Sequence, residues 1–125
     1  MIYFISGHRD ITQKEFDTYY KPVIDNVIKY DDKKTFLIGD YEGVDIMAQK
    51  YLVSKGLTDC ITVYHMFKSP RNIACSEITT SGGYKSDEER DAAMTNDSDF
   101  DIAFVRKGKE TSGTAQNLMR RHLFV

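Results

Sequence analysis

Cysteine and histidine are scarce in this 125-residue chain, which holds two of the first and three of the second. Cys60 and Cys75 lack CxxC spacing and have no histidine at metal-ligand intervals. His8, His65 and His122 are scattered, so no zinc centre is expected, and no other metal or cofactor is called for. The two sulfurs read as free thiols in a reducing, cytoplasmic setting. Long apolar runs are missing too: nothing approaches the roughly 20 residues that cross a bilayer. The apolar opening, Met1 to Ile5, has neither a basic n-region nor an h-region of signal-peptide length. A basic surplus is also absent, with 17 Lys and Arg against 19 Asp and Glu and a net charge of -2. That balance argues against a general binder of nucleic-acid backbones, since Arg120-Arg121-His122 is too short a cluster to serve as a basic face. Repeats, low-complexity tracts and linkers are absent, and the length suits one domain over 1–125.

What is present alternates between two periodicities. Ile2 to Ile5 is a continuous apolar run of strand length, suited to a strand covered on both faces. Thr12-Gln13-Lys14-Glu15 forms a capping box, and Phe16, Tyr19, Tyr20, Val23, Ile24, Val27 and Ile28 follow at helical spacing. Pro22 inside that pattern predicts a kink or a split. A second strand over Thr35 to Ile38 leads into Gly39-Asp40-Tyr41-Glu42-Gly43 and a helix from Val44 that Gly56 ends. Ile61 to Tyr64 reads as a third strand, and Met66 to Lys85 as a long irregular loop with the character of a lid. Ser86 to Glu89 is a second capping box opening a helix with Arg90, Ala93 and Met94. Asp101 to Val105 reads as a fourth strand, Ser112-Gly113-Thr114 opens a last helix, and Leu123 to Val125 is a short edge strand or a docked tail. The pattern predicts an α/β fold: a three-layer, Rossmann-like open sheet, mainly parallel, of four to five strands with helices on both faces.

In such a sheet the loops after the strands' carboxyl ends share one edge, where ligands bind. Three glycine-bearing turns fall there: Ser6-Gly7-His8-Arg9, Gly39 to Asp45, and Ser112-Gly113-Thr114. Gly7 permits a backbone N–H to approach a ligand. The start of the last helix offers unpaired N–H groups and a dipole that favour an anion. Arg9 and Arg90 supply guanidinium forks suited to phosphate, and Asp45 suits a ribose hydroxyl. Each feature has a plainer use, as a helix cap, a dipole partner or a solvated ion pair; their agreement on one edge is what favours a pocket. Tyr41 and Tyr84 read as packing residues rather than stacking platforms.

The order of these pieces resembles the SLOG superfamily of Rossmann-like proteins, which includes the lonely-guy (LOG) phosphoribohydrolases and the ligand-binding domain of the DNA-processing protein DprA. Ser6-Gly7-His8-Arg9-Asp10 is similar to its G-x-R signature, and Gly39 to Asp45 with Ala48 to its G-x-D-x-x-A signature. Arg90-Asp91-Ala92-Ala93-Met94 matches R-[ND]-x-x-M, and Asp99 to Phe104 followed by Ser112-Gly113-Thr114 matches the ending. The likeness spans nearly the whole chain and is nearest to small stand-alone members of bacteria and phages. It implies a nucleotide or nucleotide-derived ligand at the sheet edge, held by Gly7, His8, Arg9, Gly39, Asp40, Gly43, Ser112, Gly113, Thr114 and Gln116. It also implies hydrolysis of an N-glycosidic bond, to which the LOG arginine corresponds here as Arg90. The LOG glutamate after the G-T pair is replaced by Ala115-Gln116-Asn117, so Asp45, Glu89 or Asp40 has to supply a catalytic carboxylate. The alternative is a sensor or sequestering protein that binds such a ligand without turning it over. Tyr19 and Tyr20 on one helix face suggest a homo-oligomer.

Overall fold

Ile2-Tyr3-Phe4-Ile5 is apolar throughout because both of its faces are covered. Phe4 joins Leu37, Tyr64 and Met94 in one apolar layer, whereas Ile5 joins Phe36, Ile38 and Val63 in the other. The computed structural model describes residues 1–123, and it carries five strands in one sheet. These are β1 (Ile2–Ile5), β2 (Thr35–Gly39), β3 (Ile61–Met66), β4 (Thr79–Tyr84) and β5 (Phe100–Ile102). Their order is β4-β3-β2-β1-β5, and every pairing is parallel. The fold is thus the three-layer, Rossmann-like α/β architecture that the alternation predicts.

Helices α1 (Gln13–Tyr19), α2 (Lys21–Tyr30) and α3 (Val44–Ser54) cover one face through Phe16, Ile24, Val44, Ala48 and Leu52. On the other face α4 (Asp87–Asp97) lays Met94 against Phe4 and Leu37, and α5 (Gly113–Leu123) packs beside α4. The Thr12 capping box forms, with Glu15 N–H donating to Thr12 Oγ1 at 3.1 Å and Thr12 N–H to Glu15 Oε1 at 3.0 Å. Pro22 does split the long apolar pattern: it sits in the first turn of α2, where its missing N–H has no helical partner to lose. The second capping box is half formed. Ser86 Oγ caps Glu89 N–H, but the Glu89 carboxylate turns back to Lys85 N–H.

Three expectations need correction. The stretch 66–85 is not one irregular loop, because its last part is β4, which extends the sheet beyond β3. Thr79-Thr80-Ser81-Gly82-Gly83-Tyr84 shows no apolar alternation since this edge strand is mostly exposed. Gly82 is bare because a Cβ there would run into the His65 ring. The β5 strand runs over Phe100–Ile102 rather than to Val105, and the reason is a side chain. Ser6 N–H still reaches Ile102 O at 3.1 Å, but the buried Tyr20 hydroxyl then wedges between the two chains. It donates to Ser6 O at 2.8 Å and accepts from Phe104 N–H at 2.9 Å, so the ladder ends and a crevice opens. Tyr20 is therefore a core residue and no part of an outer face; Tyr19, half exposed, stacks on Phe104 at 3.9 Å. Leu123 closes α5, while Phe124 and Val125 of the expected edge strand lie outside the described residues. Cys60 and Cys75 are both free thiols. No helix among the described residues is long and apolar enough to cross a membrane.

Candidate functional site

The reversal of strand order between β1 and β5 leaves a cleft of about 500 Å³ at the carboxyl edge of the sheet. Phe4 and Met94 give it an apolar floor, and the turns after β1, β2 and β5 form its sides. Arg9 and Thr114, 105 positions apart in the sequence, both line it.

One side is built from the turn after β1 and the start of α5. Gly7 lies where a Cβ would collide with the Tyr20 hydroxyl and with Val44, so only glycine lets this turn lie flat on α3. Gly43, at φ +78, supports the same turn from below: a side chain there would strike the His8 and Arg9 carbonyls. The His8 ring is buried and accepts from Arg106 N–H through Nε2 at 2.9 Å, which puts its proton on Nδ1. Burial, reinforced by the nearby Arg106 guanidinium, lowers the imidazole pKa, so His8 acts as a neutral acceptor. Arg106 also clasps Glu15 with Nε at 3.0 Å and Nη2 at 2.8 Å, and Asp10 with Nη1 at 3.1 Å. Hydrogen bonds from Arg106 and from Thr12 N–H hold the Glu15 carboxyl down at about 2. One arginine thereby ties the loop after β5 to the loop after β1.

Donors on this side are left open. Ser112 Oγ caps Ala115 N–H at 3.2 Å, and Ser112 O takes Gln116 N–H. Among the described residues no acceptor stands opposite the N–H groups of Gly113 and Thr114. A Cβ on Gly113 would meet nothing within 4 Å, so crowding within the protein does not require glycine there. The Ser6 hydroxyl is buried with no partner among the described residues. Exposed Lys109 adds an ammonium, and Arg9 a guanidinium whose Nη1 donates to Tyr41 OH at 2.7 Å.

The opposite side, from β2 and α4, is closed on itself. Arg90 is buried, and Nη1 donates to Asp40 Oδ1 at 2.6 Å while lying 3.1 Å from Asp87. Its Nε and Nη2 both serve Asp91, at 3.2 and 3.0 Å. Asp40 is fully buried and also receives Arg71 through its backbone N–H at 2.8 Å, Nε at 3.1 Å and Nη2 at 2.8 Å. Burial raises the Asp40 carboxyl, but the hydrogen bonds from Arg71 outweigh it and hold the group below its ordinary value. Asp91 Oδ2 takes Asn117 Nδ2 at 3.2 Å, which continues the chain of contacts into α5. The Arg71 guanidinium lies 4.4 Å over the Tyr41 ring. Gly39 fits beneath this network, since a Cβ would press on Asp45 Oδ2 and on the Arg90 guanidinium.

Asp45 stands between the two sides. Its Oδ2 accepts from Tyr41 N–H at 3.1 Å, and no donor among the described residues reaches Oδ1. Burial pushes its carboxyl up to about 7 against the pull of Arg90, and the neighbouring Asp91 and Asp40 add to the rise.

Nine of the residues singled out in the sequence line the cleft: Gly7, His8, Arg9, Gly39, Asp45, Arg90, Ser112, Gly113 and Thr114. Asp40 and Gly43 lie behind the lining, one as an ionic anchor and the other as a turn support. Glu89 is exposed and spent on Lys85 N–H, and Gln116 points out to bond Thr111 O. Asn117, one position on, is buried and lines the cleft instead. Sequence reasoning missed Arg71 and Arg106, whose partners lie far off in the chain, gave no site role to Asp91 or to Asp87, and treated Tyr41 as packing. Only Tyr84 packs as expected, stacked on Tyr64 at 5.7 Å. Compared with protein-family models, curated proteins and solved structures, the chain matches none.

Proposed function

We propose that this cleft binds a phosphate-bearing nucleotide or nucleotide-derived molecule, with the phosphate at the start of α5. One observation carries the reading: the open donors of Gly113, Thr114 and Ser6, and the charged groups of Lys109 and Arg9, converge on a single cleft at the strand-order reversal. The cleft's size suits a small ligand, and its apolar floor gives a base or sugar something to pack on. The resemblance to the SLOG superfamily, drawn from the sequence motifs, points to the same ligand class.

Binding without turnover is the form of this function that the geometry favours. Arg90, the counterpart of the LOG arginine, has Nε and both Nη atoms engaged by Asp40, Asp87 and Asp91. No carboxylate follows the G-T pair, and Glu89 faces solvent. Asp45, with an open oxygen and a pKa near neutral, is the feature that favours the hydrolytic reading.

A thermal-shift series with AMP, ADP-ribose and cyclic nucleotides tests the binding, since a ligand of the native state raises the melting temperature. At about 100 times the dissociation constant the stabilisation is about 2.7 kcal/mol. Arg9→Ala and Gly113→Val should lose the shift while melting like the parent without ligand. Parent-like shifts in both variants would remove the phosphate site. Release of free base, followed by chromatography, decides between hydrolysis and simple binding.

A further inference from the structure

The carboxylates that line the cleft are not equivalent. Both oxygens of Asp10 are taken by Arg106, both oxygens of Asp87 by Arg71, and those of Asp91 by Arg90 and Asn117. Asp45 alone among them keeps an oxygen that no described donor reaches. Arg90, the cation that pulls on its charge, makes no hydrogen bond to it among the described residues, because its nitrogens serve Asp40, Asp87 and Asp91.

We propose that Asp45 is the specificity-determining group of the cleft: as a neutral carboxylic acid it donates a hydrogen bond from Oδ1 to an acceptor atom of the ligand, and an anionic ligand binds together with a proton. The ligand contact rests on the function proposed above; the protonation of Asp45 does not.

Burial comes first among the causes that favour the neutral form of Asp45, and the groups around it decide the rest. Arg90 from α4 favours the carboxylate, but Asp91 from the same helix and Asp40 from the end of β2 oppose it. Tyr20, behind the turn after β1, is a buried phenol whose own pKa is raised, so it brings no charge. Tyr41 N–H holds Oδ2 and would serve either form. A phosphate arriving at α5 adds negative charge to the same cleft and raises the cost of an ionised Asp45. Binding and proton uptake are then linked, each favouring the other.

Asp45→Asn is the informative variant, because its amide keeps an acceptor for Tyr41 and places a permanent donor where the acid proton stood. In ligand-free protein the Asp45 carboxyl carbon, assigned by its loss in the variant, should titrate by NMR with a midpoint near 7. AMP affinity is then measured by calorimetry from pH 6 to 8.5 in the parent and in D45N. The ratio of the two cancels the titration of the AMP phosphate itself. Parent affinity should fall relative to D45N by up to about tenfold per pH unit above the midpoint. Asp45→Ala should bind AMP more weakly than D45N throughout. A carboxyl midpoint below 5, or a flat ratio with AMP bound, overturns the Asp45 assignment and leaves the nucleotide site standing. Absence of AMP binding at every pH, with the midpoint near neutral, removes AMP from the proposed function and the ligand contact with it.

Discussion

The two sides of the cleft use similar polar residues to opposite ends. On the β2–α4 side, Arg71 and Arg90 are consumed by Asp40, Asp87 and Asp91, and Asp40 and Arg90 are almost wholly withdrawn from water. Charge removed from water needs full compensation, and here each guanidinium fork meets more than one carboxylate. On the β1–α5 side the donors of Gly113, Thr114 and Ser6 are left open. One wall is thus already set in place, and the other has bonds to offer the ligand proposed for it. Rigidity and affinity are assigned to different halves of one small pocket, which is how a site keeps its shape when empty.

The largest effect should come from breaking the closed wall. Arg90→Ala leaves Asp40, Asp87 and Asp91 close together with only Arg71 to offset them, and the loss of one partner from a buried ion network costs about 3–5 kcal/mol. Urea denaturation would read this as a lower midpoint. Arg90→Lys should recover little, because one ammonium cannot span three carboxylates as a planar fork does. A variant as stable as the parent would mean that the network contributes no rigidity and that the two walls do not differ in kind.

That contrast also marks what was legible in the sequence. The turns Ser6 to Arg9, Gly39 to Asp45 and Ser112 to Thr114 announce themselves locally, since a strand, a glycine and a helix cap are neighbours in the chain. The parallel sheet follows from the alternation, and so does the meeting of β1 with the strand before α5. The closed wall was not legible. Arg71 reaches Asp40 across 31 residues and Arg90 reaches it across 50, and nothing near Arg71 distinguishes it from a solvated loop cation. Arg106 lies 98 positions from His8 and reads alone as one more charge beside Lys107. β4 escaped because an exposed edge strand needs no hydrophobic period, and the end of β5 is set by Tyr20, a residue on the far side of the chain order.

A smaller effect separates two glycines on the open side. Gly7→Ala puts a methyl group against the Tyr20 hydroxyl and Val44, so the turn or α3 must shift, at about 1–3 kcal/mol. Gly113→Ala meets open space at a helix start and should change stability by about 0.5 kcal/mol or less. If the proposed function holds, its consequence is a lower nucleotide affinity, because a Cβ there would crowd the phosphate. Equal stability losses in the two variants would show that the start of α5 is packed rather than open.

The smallest effect is a pH slope hidden beneath a larger opposing one. Asp45 has a folded pKa near 7, above its unfolded value, so the native state holds the extra proton between about pH 4 and pH 7. Stability from this group is full below that window and falls as pH rises through it. His8 behaves the other way: its folded pKa is depressed, so the unfolded chain takes up the proton first. Its contribution is full above about pH 6.5, the unfolded value, and is lost as pH falls, when Nε2 can no longer accept from Arg106 N–H. In the parent the two slopes oppose each other through mild acid. Asp45→Asn removes the falling slope and should expose stability that rises with pH toward neutrality. Adding His8→Gln, whose amide oxygen can still accept from Arg106, should flatten that rise. A flat D45N profile would mean that His8 titrates alike in the folded and unfolded chain, and that losing the bond from Arg106 N–H is of no energetic consequence.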